Sequence, residues 1–187
     1  MMAGPREKLS RVVSHALRHE PWLYELELDP EGWAPIDALL AALHEMGGEW
    51  SSVDRDDLTD MISSSTKERH EIAGDRIRAL YGHSVPGRLV RVAAAPPQRL
   101  YHGTSGRAWR TIQHTGLQPM QRQYVHLSVD VETAEQVGRR KSAHPVILGV
   151  DAGRAHADGV RFLRGNEVVW LAESVPPDYL RLESAAK

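Results

Sequence analysis

The chain has 187 residues, 41% of them hydrophobic, a formal net charge of -2 and no cysteine. That is enough to bury a core in one domain or two small ones, and it excludes disulfides, thiolate metal sites and cysteine nucleophiles. No run is apolar enough to span a bilayer and the N-terminus carries no signal-peptide core, so a soluble, cytoplasmic monomer is expected.

The charge is unevenly spread. Residues 1–92 hold 11 Lys and Arg against 16 Asp and Glu, whereas residues 93–187 hold 12 against 9. Between His19 and Thr66 the only basic residue is Arg55 among twelve acids, a surface that should turn away from nucleic acid. The ten histidines include one pair at i, i+4 spacing, His15 and His19, but it lacks the glutamate of a His-Glu-x-x-His zinc site, and no metal is expected.

Leu9, Val12, Val13, Ala16 and Leu17 recur at helical spacing, which predicts a helix from Lys8 to about His19, stopped by Pro21. Arg11, Ser14 and Arg18 share its other face; Arg18-His19 reads equally as a cationic helix end favoured by the macrodipole. Ile36, Leu39, Leu40 and Leu43 mark a second helix closed by Gly47-Gly48. A third, with Ser52 as its cap, would bury Val53, Leu58, Met61 and Ile62. His70-Glu71-Ile72, Ala73-Gly74-Asp75 and Arg76 to Tyr81 read as a hairpin. Three helices followed by a hairpin predict a winged-helix lobe over residues 1–92.

Ala93-Ala94-Ala95-Pro96-Pro97 reads as a stiff linker. Beyond it the pattern predicts a strand at Leu100–His102, a helix at Gly106–Thr115, a strand at Tyr124–Leu127 and a helix at Val131–Arg139 capped by Asp130. Further strands are predicted at Val146–Val150, Arg161–Leu163, Val168–Ala172 and Tyr179–Leu182, giving a mixed α+β domain over residues 93–187. The run Tyr101-His102-Gly103-Thr104-Ser105-Gly106 stands out because an apolar strand leads directly into a histidine, glycines and hydroxyls. Such a junction offers free N–H groups to a polar ligand, and Gly103 would let the backbone come close to a ligand, although plain turn chemistry also accounts for it. His126 and Ser128 repeat the theme on the next strand. Asn166 reads as a turn residue and Trp170 as core.

Seven short segments occur in one order: Leu17-Arg18-His19, Lys67-Glu68-Arg69, Arg76-Ile77-Arg78-Ala79 with Gly82-His83-Ser84, Tyr101-His102-Gly103-Thr104, Val125-His126-Leu127-Ser128, Val137-Gly138-Arg139-Arg140, and Gly165 to Leu171 leading to Val175-Pro176. Together they make the chain similar, over nearly its whole length, to the RNA 2′-phosphotransferase family, called KptA in bacteria. The family pattern usually has Phe where this chain has His70. The resemblance implies an α+β protein: an N-terminal winged-helix lobe plus a C-terminal ADP-ribosyltransferase-like lobe of mixed α/β structure, with site residues drawn from both.

It further implies removal of an internal RNA 2′-phosphate, with NAD⁺ consumed as co-substrate and a tRNA-like or other 2′-phosphorylated RNA as partner. The RNA phosphate would be ADP-ribosylated with loss of nicotinamide. The adjacent ribose hydroxyl would then attack the phosphorus, releasing ADP-ribose 1″,2″-cyclic phosphate. Carried over by position, Arg18, His19, Arg69 and Arg140 are the catalytic phosphate-binding set, with Arg78 as a further phosphate candidate. Arg140 is preferred to its neighbour Arg139 by the Gly-x-Arg spacing. His102, Gly103, Thr104, His126 and Ser128 are expected at NAD⁺, with Ser84 near ligand or RNA. The main alternative is an ADP-ribosyltransferase acting on nucleic-acid ends, protein or a small molecule that stops after the first step. A winged-helix regulator sensing NAD⁺ fits less well, because the acidic run denies it a basic recognition helix.

Overall fold

The computed structural model describes residues 4–80, 91–120 and 122–183. The chain divides into two compact units, Met1–Arg88 and Leu89–Lys187.

In the first unit, α1 (Pro5–Arg18) opens with proline at its first turn, where the missing N–H is not needed, and buries Leu9, Val13, Ala16 and Leu17. Pro21 then starts a 3-10 turn over Pro21–Tyr24. A two-residue strand, β1 (Ala34–Pro35), runs into α2 (Ile36–Met46), which buries Ile36, Ala38, Leu39, Ala42 and Leu43. Gly47 ends α2 at φ 69, in the region that favours glycine. The third helix, α3 (Arg55–Ser63), is capped by Asp54 and not by Ser52. Asp54 accepts from the Asp57 N–H while the Asp57 carboxylate accepts from the Asp54 N–H, a reciprocal pair that a serine two residues earlier cannot make. The hairpin is β2 (His70–Ala73) and β3 (Arg76–Ala79), turning at Gly74 with φ 57. β1 pairs with β3, Ala34 opposite Ile77, so the sheet order is β1-β3-β2. The sequence did not signal β1. Helices and sheet close over one core that includes Leu17, Leu26, Leu39, Leu43, Leu58 and Ile77.

The second unit is built on a seven-stranded antiparallel sheet. Its elements in chain order are β4 (Val92–Ala93), β5 (Arg99–Thr104), α4 (Gly106–Thr115), β6 (Val125–Ser128), α5 (Val131–Lys141), β7 (Val146–Asp151), α6 (Ala152–Ala157), β8 (Phe162–Arg164), β9 (Val169–Ala172) and β10 (Leu180–Leu182). Ala93, the first residue of the expected linker, is therefore in a strand, opposite Leu163. Ser105, Asp130 and Asp151 each accept from a backbone N–H in the first turn of α4, α5 and α6. Asn166 is a turn residue: its side-chain oxygen accepts from the N–H groups of Val168 and Val169, both at 2.8 Å. Trp170 lies in the core.

The strand order is β10-β7-β5-β6-β9-β8-β4. β5 pairs with β7 over six residue pairs, from Arg99↔Asp151 to Thr104↔Val146, but with β6 at one, Tyr101↔Ser128. The sheet is thus two halves that meet at one pair and diverge beyond it.

α5 lies on β5 at a distance only glycine permits. A Cβ on Gly103 would stand 1.9 Å from the Ala134 carbonyl oxygen and 2.8 Å from the Gly138 nitrogen; one on Gly138 would stand 2.7 Å from Pro145 Cβ. The space over Gly103, expected to admit a ligand, is therefore taken by the backbone of α5. Gly103→Ala should lower the stability of the second unit by about 1–3 kcal/mol, because backbone atoms cannot yield as a side chain does. Gly106→Ala, whose nearest neighbour would be Val146 at 3.9 Å, should be near neutral. Urea denaturation of the two variants checks this, and equal stabilities would refute the packing argument.

Candidate functional site

In the first unit the polar face of α1 lies against the start of β2. Ser14 and Arg18 are one turn apart and so project together. Ser14 Oγ is 3.0 Å from His70 Nε2, and Arg18 Nη2 donates to the Arg69 carbonyl at 3.2 Å. That carbonyl also accepts from the Leu80 N–H at 3.0 Å, so the backbone at Arg69 is held from two sides. His70 is 5% exposed, and its pKa is lowered from 6.5 to about 4, first by burial and then by the charges of Arg18 and Arg69. Two guanidinium groups from distant parts of the sequence thus act on one neutral imidazole. His19 follows as the C-cap of α1 and is exposed, its ring centroid 6.1 Å from that of His15. His15 is itself fixed, with Nδ1 3.0 Å from the Tyr24 hydroxyl and Nε2 2.9 Å from Glu20.

Arg78 is held differently. Its guanidinium forks onto Glu71 at 2.9 and 2.8 Å and stacks 4.4 Å from the centre of the Trp33 ring. Much of its charge is already met by a carboxylate, and it shares the Trp33 face with Arg76, which pairs with Asp29 at 3.2 Å.

In the second unit His102, Gly103 and Thr104 end β5 where the two half-sheets diverge, and all three are buried. His102 Nδ1 is 2.9 Å from the His126 carbonyl oxygen. A carbonyl only accepts, so Nδ1 carries a proton. The Tyr101↔Ser128 register and strand alternation put Ser128 and His126 on the sheet face of Tyr101 and Gly103, and His102 and Thr104 on the other. The two histidines are therefore linked through a backbone oxygen and do not present their rings side by side.

At the C-terminal turn of α5, Arg139 is turned outward, 67% exposed and paired with Glu135, whereas Arg140 is half-buried. Lys141, next along, donates to the Gly103 carbonyl at 3.4 Å. The close approach of Gly103 and Gly138 is what carries this turn onto the end of β5. Ser84 and its Gly82-His83 neighbours lie outside the described residues. Three participants were not singled out from sequence: Ser14 and His70, for which the Ser14/Arg18 spacing was the one available signal, and Lys141, for which there was none. Among the described residues no group of three or more His, Asp or Glu is placed to hold a metal ion, and no helix is long and apolar enough to cross a membrane.

Residues 4–174 match the family described as RNA 2′-phosphotransferase, Tpt1 / KptA family. Among individual proteins, the chain is 52% identical over 174 residues to a probable RNA 2′-phosphotransferase of Bacillus thuringiensis subsp. konkukian, covering 93% of this chain and 94% of that one. It is 52% identical over 176 residues to one of Acetivibrio thermocellus, covering 94% and 96%, and 43% identical over 174 residues to one of Streptomyces coelicolor, covering 93% of each.

The low pKa of His70 has a consequence for stability. The unfolded chain takes up this proton near pH 6.5 and the folded one only near pH 4, so stability is lost as pH falls between the two, by up to about 3 kcal/mol. His70→Phe should flatten that part of the profile. Denaturation midpoints at pH 7 and pH 4.5 decide it; an unchanged slope in the variant would mean that His70 is not the group responsible.

Proposed function

This chain belongs to the RNA 2′-phosphotransferase, Tpt1 / KptA family, and on that premise we propose that it removes an internal 2′-phosphate from RNA with NAD⁺ as the consumed co-substrate. NAD⁺ supplies an activated ribose carbon, C1 of the nicotinamide ribose, whose leaving group departs as neutral nicotinamide. In the first step an oxygen of the RNA 2′-phosphate forms a bond to that carbon as the bond to nicotinamide breaks. In the second, the neighbouring ribose hydroxyl attacks phosphorus and the RNA 2′-oxygen leaves and is protonated. The products are RNA with a free 2′-hydroxyl, nicotinamide and ADP-ribose 1″,2″-cyclic phosphate.

The observation that carries the reading is Arg18 anchored on the Arg69 carbonyl beside buried His70, which feels the charge of both arginines. Like charges held close raise one another's energy, and an anion relieves that energy, so the arrangement favours a phosphate. Phosphoryl transfer asks mainly for positioning and for stabilisation of charge on the phosphate oxygens, which guanidinium groups supply in fixed fork geometry. Arg18, Arg69 and Arg140 take that role, and Arg78 can add a phosphate contact only by exchanging Glu71 for it. His19, exposed at the end of α1, is assigned as proton donor to the leaving 2′-oxygen.

His102, Gly103, Thr104, His126 and Ser128 are assigned to NAD⁺. The support is the divergence of β5 from β6 at that point, which opens the sheet beside buried polar side chains, with the His102 ring held by its Nδ1 bond to the His126 carbonyl. On this reading the first unit is a winged-helix lobe, supported by its three helices and three-stranded sheet. The second is an ADP-ribosyltransferase-like lobe, supported by the divided sheet.

The test is incubation with a 2′-phosphorylated oligoribonucleotide with and without NAD⁺. The RNA should lose the mass of one phosphate only with NAD⁺ present. Arg18→Ala and Arg140→Ala should each lower turnover about 10²-fold or more, while Arg18→Ala leaves NAD⁺ binding intact. An RNA that gains ADP-ribose and keeps its phosphate with the wild-type protein would favour the transferase that stops after the first step.

A further inference from the structure

The exposed side of α4 carries Arg107, Arg110 and His114, three or four residues apart and so on one stripe, with the Thr111 hydroxyl beside them. The helix contains no acidic residue, and Arg107 and Arg110 have no ion-pair partner among the described residues. Four other exposed arginines of the second unit are matched on their own surfaces: Arg139 by Glu135 at 2.6 Å, Arg154 by Asp158 at 3.9 Å, Arg161 by Glu173 at 3.8 Å and Arg181 by Glu183 at 3.0 Å. Arg99 on β5 and Arg164 on β8 are exposed without an ion pair among the described residues, but neither lies on a helix with a second such arginine. The placement of Arg107 also runs against helix electrostatics. It sits in the first turn, at the positive end of the macrodipole, where an acid is the favourable choice. A cation kept there without a partner is suited to an anion from outside.

The stripe begins where the NAD⁺-assigned residues end. Thr104 closes β5, Ser105 caps α4, and Arg107 is the second helical residue. From Arg107 to His114 the stripe covers roughly 10 Å at about 1.5 Å per residue, the reach of two or three backbone phosphates of one strand. We propose that this face of α4 is a docking surface for the phosphate backbone of the RNA strand flanking the 2′-phosphorylated nucleotide. The inference rests on the RNA reading above and adds to it a contact away from the reacting phosphate. Arginine on a strand's phosphates fixes position without reading bases, so this surface bears on affinity and not on sequence preference.

The test compares a 2′-phosphorylated oligoribonucleotide of about twenty residues with a 2′-phosphorylated dinucleotide, using wild type, the double variant Arg107→Gln/Arg110→Gln, and Arg154→Gln as a control from a matched pair. The double variant should raise KM for the long RNA about tenfold at low salt with kcat unchanged. It should also flatten the dependence of log kcat/KM on log salt by about 1.4, at about 0.7 for each single-strand phosphate that the variant no longer neutralises. The dinucleotide should be turned over as by wild type, and Arg154→Gln should behave as wild type on both. Wild type active on both RNAs with the double variant indistinguishable from it overturns the docking surface and leaves the functional reading standing. Equal loss on both RNAs also overturns it, because α4 would then act at the reacting site or on the fold. Wild type that leaves both RNAs phosphorylated removes the functional reading first, and this inference with it.

Discussion

A helix lying directly on a strand, with no side chain between the two at Gly103 and Gly138, is the constraint on which the second unit's candidate site depends. Because the backbones touch, the last turn of α5 arrives over the end of β5. Arg140 is then half-buried, Lys141 reaches the Gly103 carbonyl, and Arg139 pairs outward with Glu135. Any Cβ at either glycine would push the helix off and move these cations away from the end of β5. On the other side of β5 the sheet parts after one residue pair with β6, and His102 bridges the opening through the His126 carbonyl. Close packing on one face and divergence at one edge together place cationic and polar groups around a single strand end.

The first unit reaches a related result by different means. Its cations gather beside a buried histidine. Ser14 fixes the His70 ring from α1, Arg18 fixes the backbone of Arg69, and burial, with the field of both arginines added, keeps the ring neutral. Neutrality matters physically, since a charged His70 would add a third positive group to the pair and weaken the packing that holds them. The chain is slightly acidic as a whole, and its cations act through local placement more than through net charge.

Much of this was legible from residues alone, and the failures have physical reasons. α1, α2, the hairpin, α4 and α5 follow from apolar spacing and punctuation, and Asp130 was readable as a cap because it directly precedes a periodic run. β1 was not readable: two residues, one of them proline, carry no periodicity, and the strand exists because Ala34 lands opposite Ile77. α6 was missed because Ala152–Ala157 is short and nearly featureless, and its start is set by the Asp151 cap. At the site, Gly103 could be read as a place of close approach, but that its neighbour is Gly138 is a tertiary fact linking positions 35 apart. Likewise Ser14 and Arg18 were legible as one helix face, whereas His70 as their common partner was not. The separation of the His102 and His126 rings onto opposite faces came from register, which no local pattern reveals.

The central claim is that the phosphate leaves RNA by transfer to a ribose hydroxyl of the co-substrate, with cations holding the phosphorus centre, and is not handed to water. The most direct measurement follows a radiolabel placed on the RNA 2′-phosphate through one turnover with NAD⁺. The account predicts that the label appears in a cyclic phosphate of ADP-ribose, in equal amount to the nicotinamide released. Label recovered as inorganic phosphate, or released without nicotinamide, would contradict it.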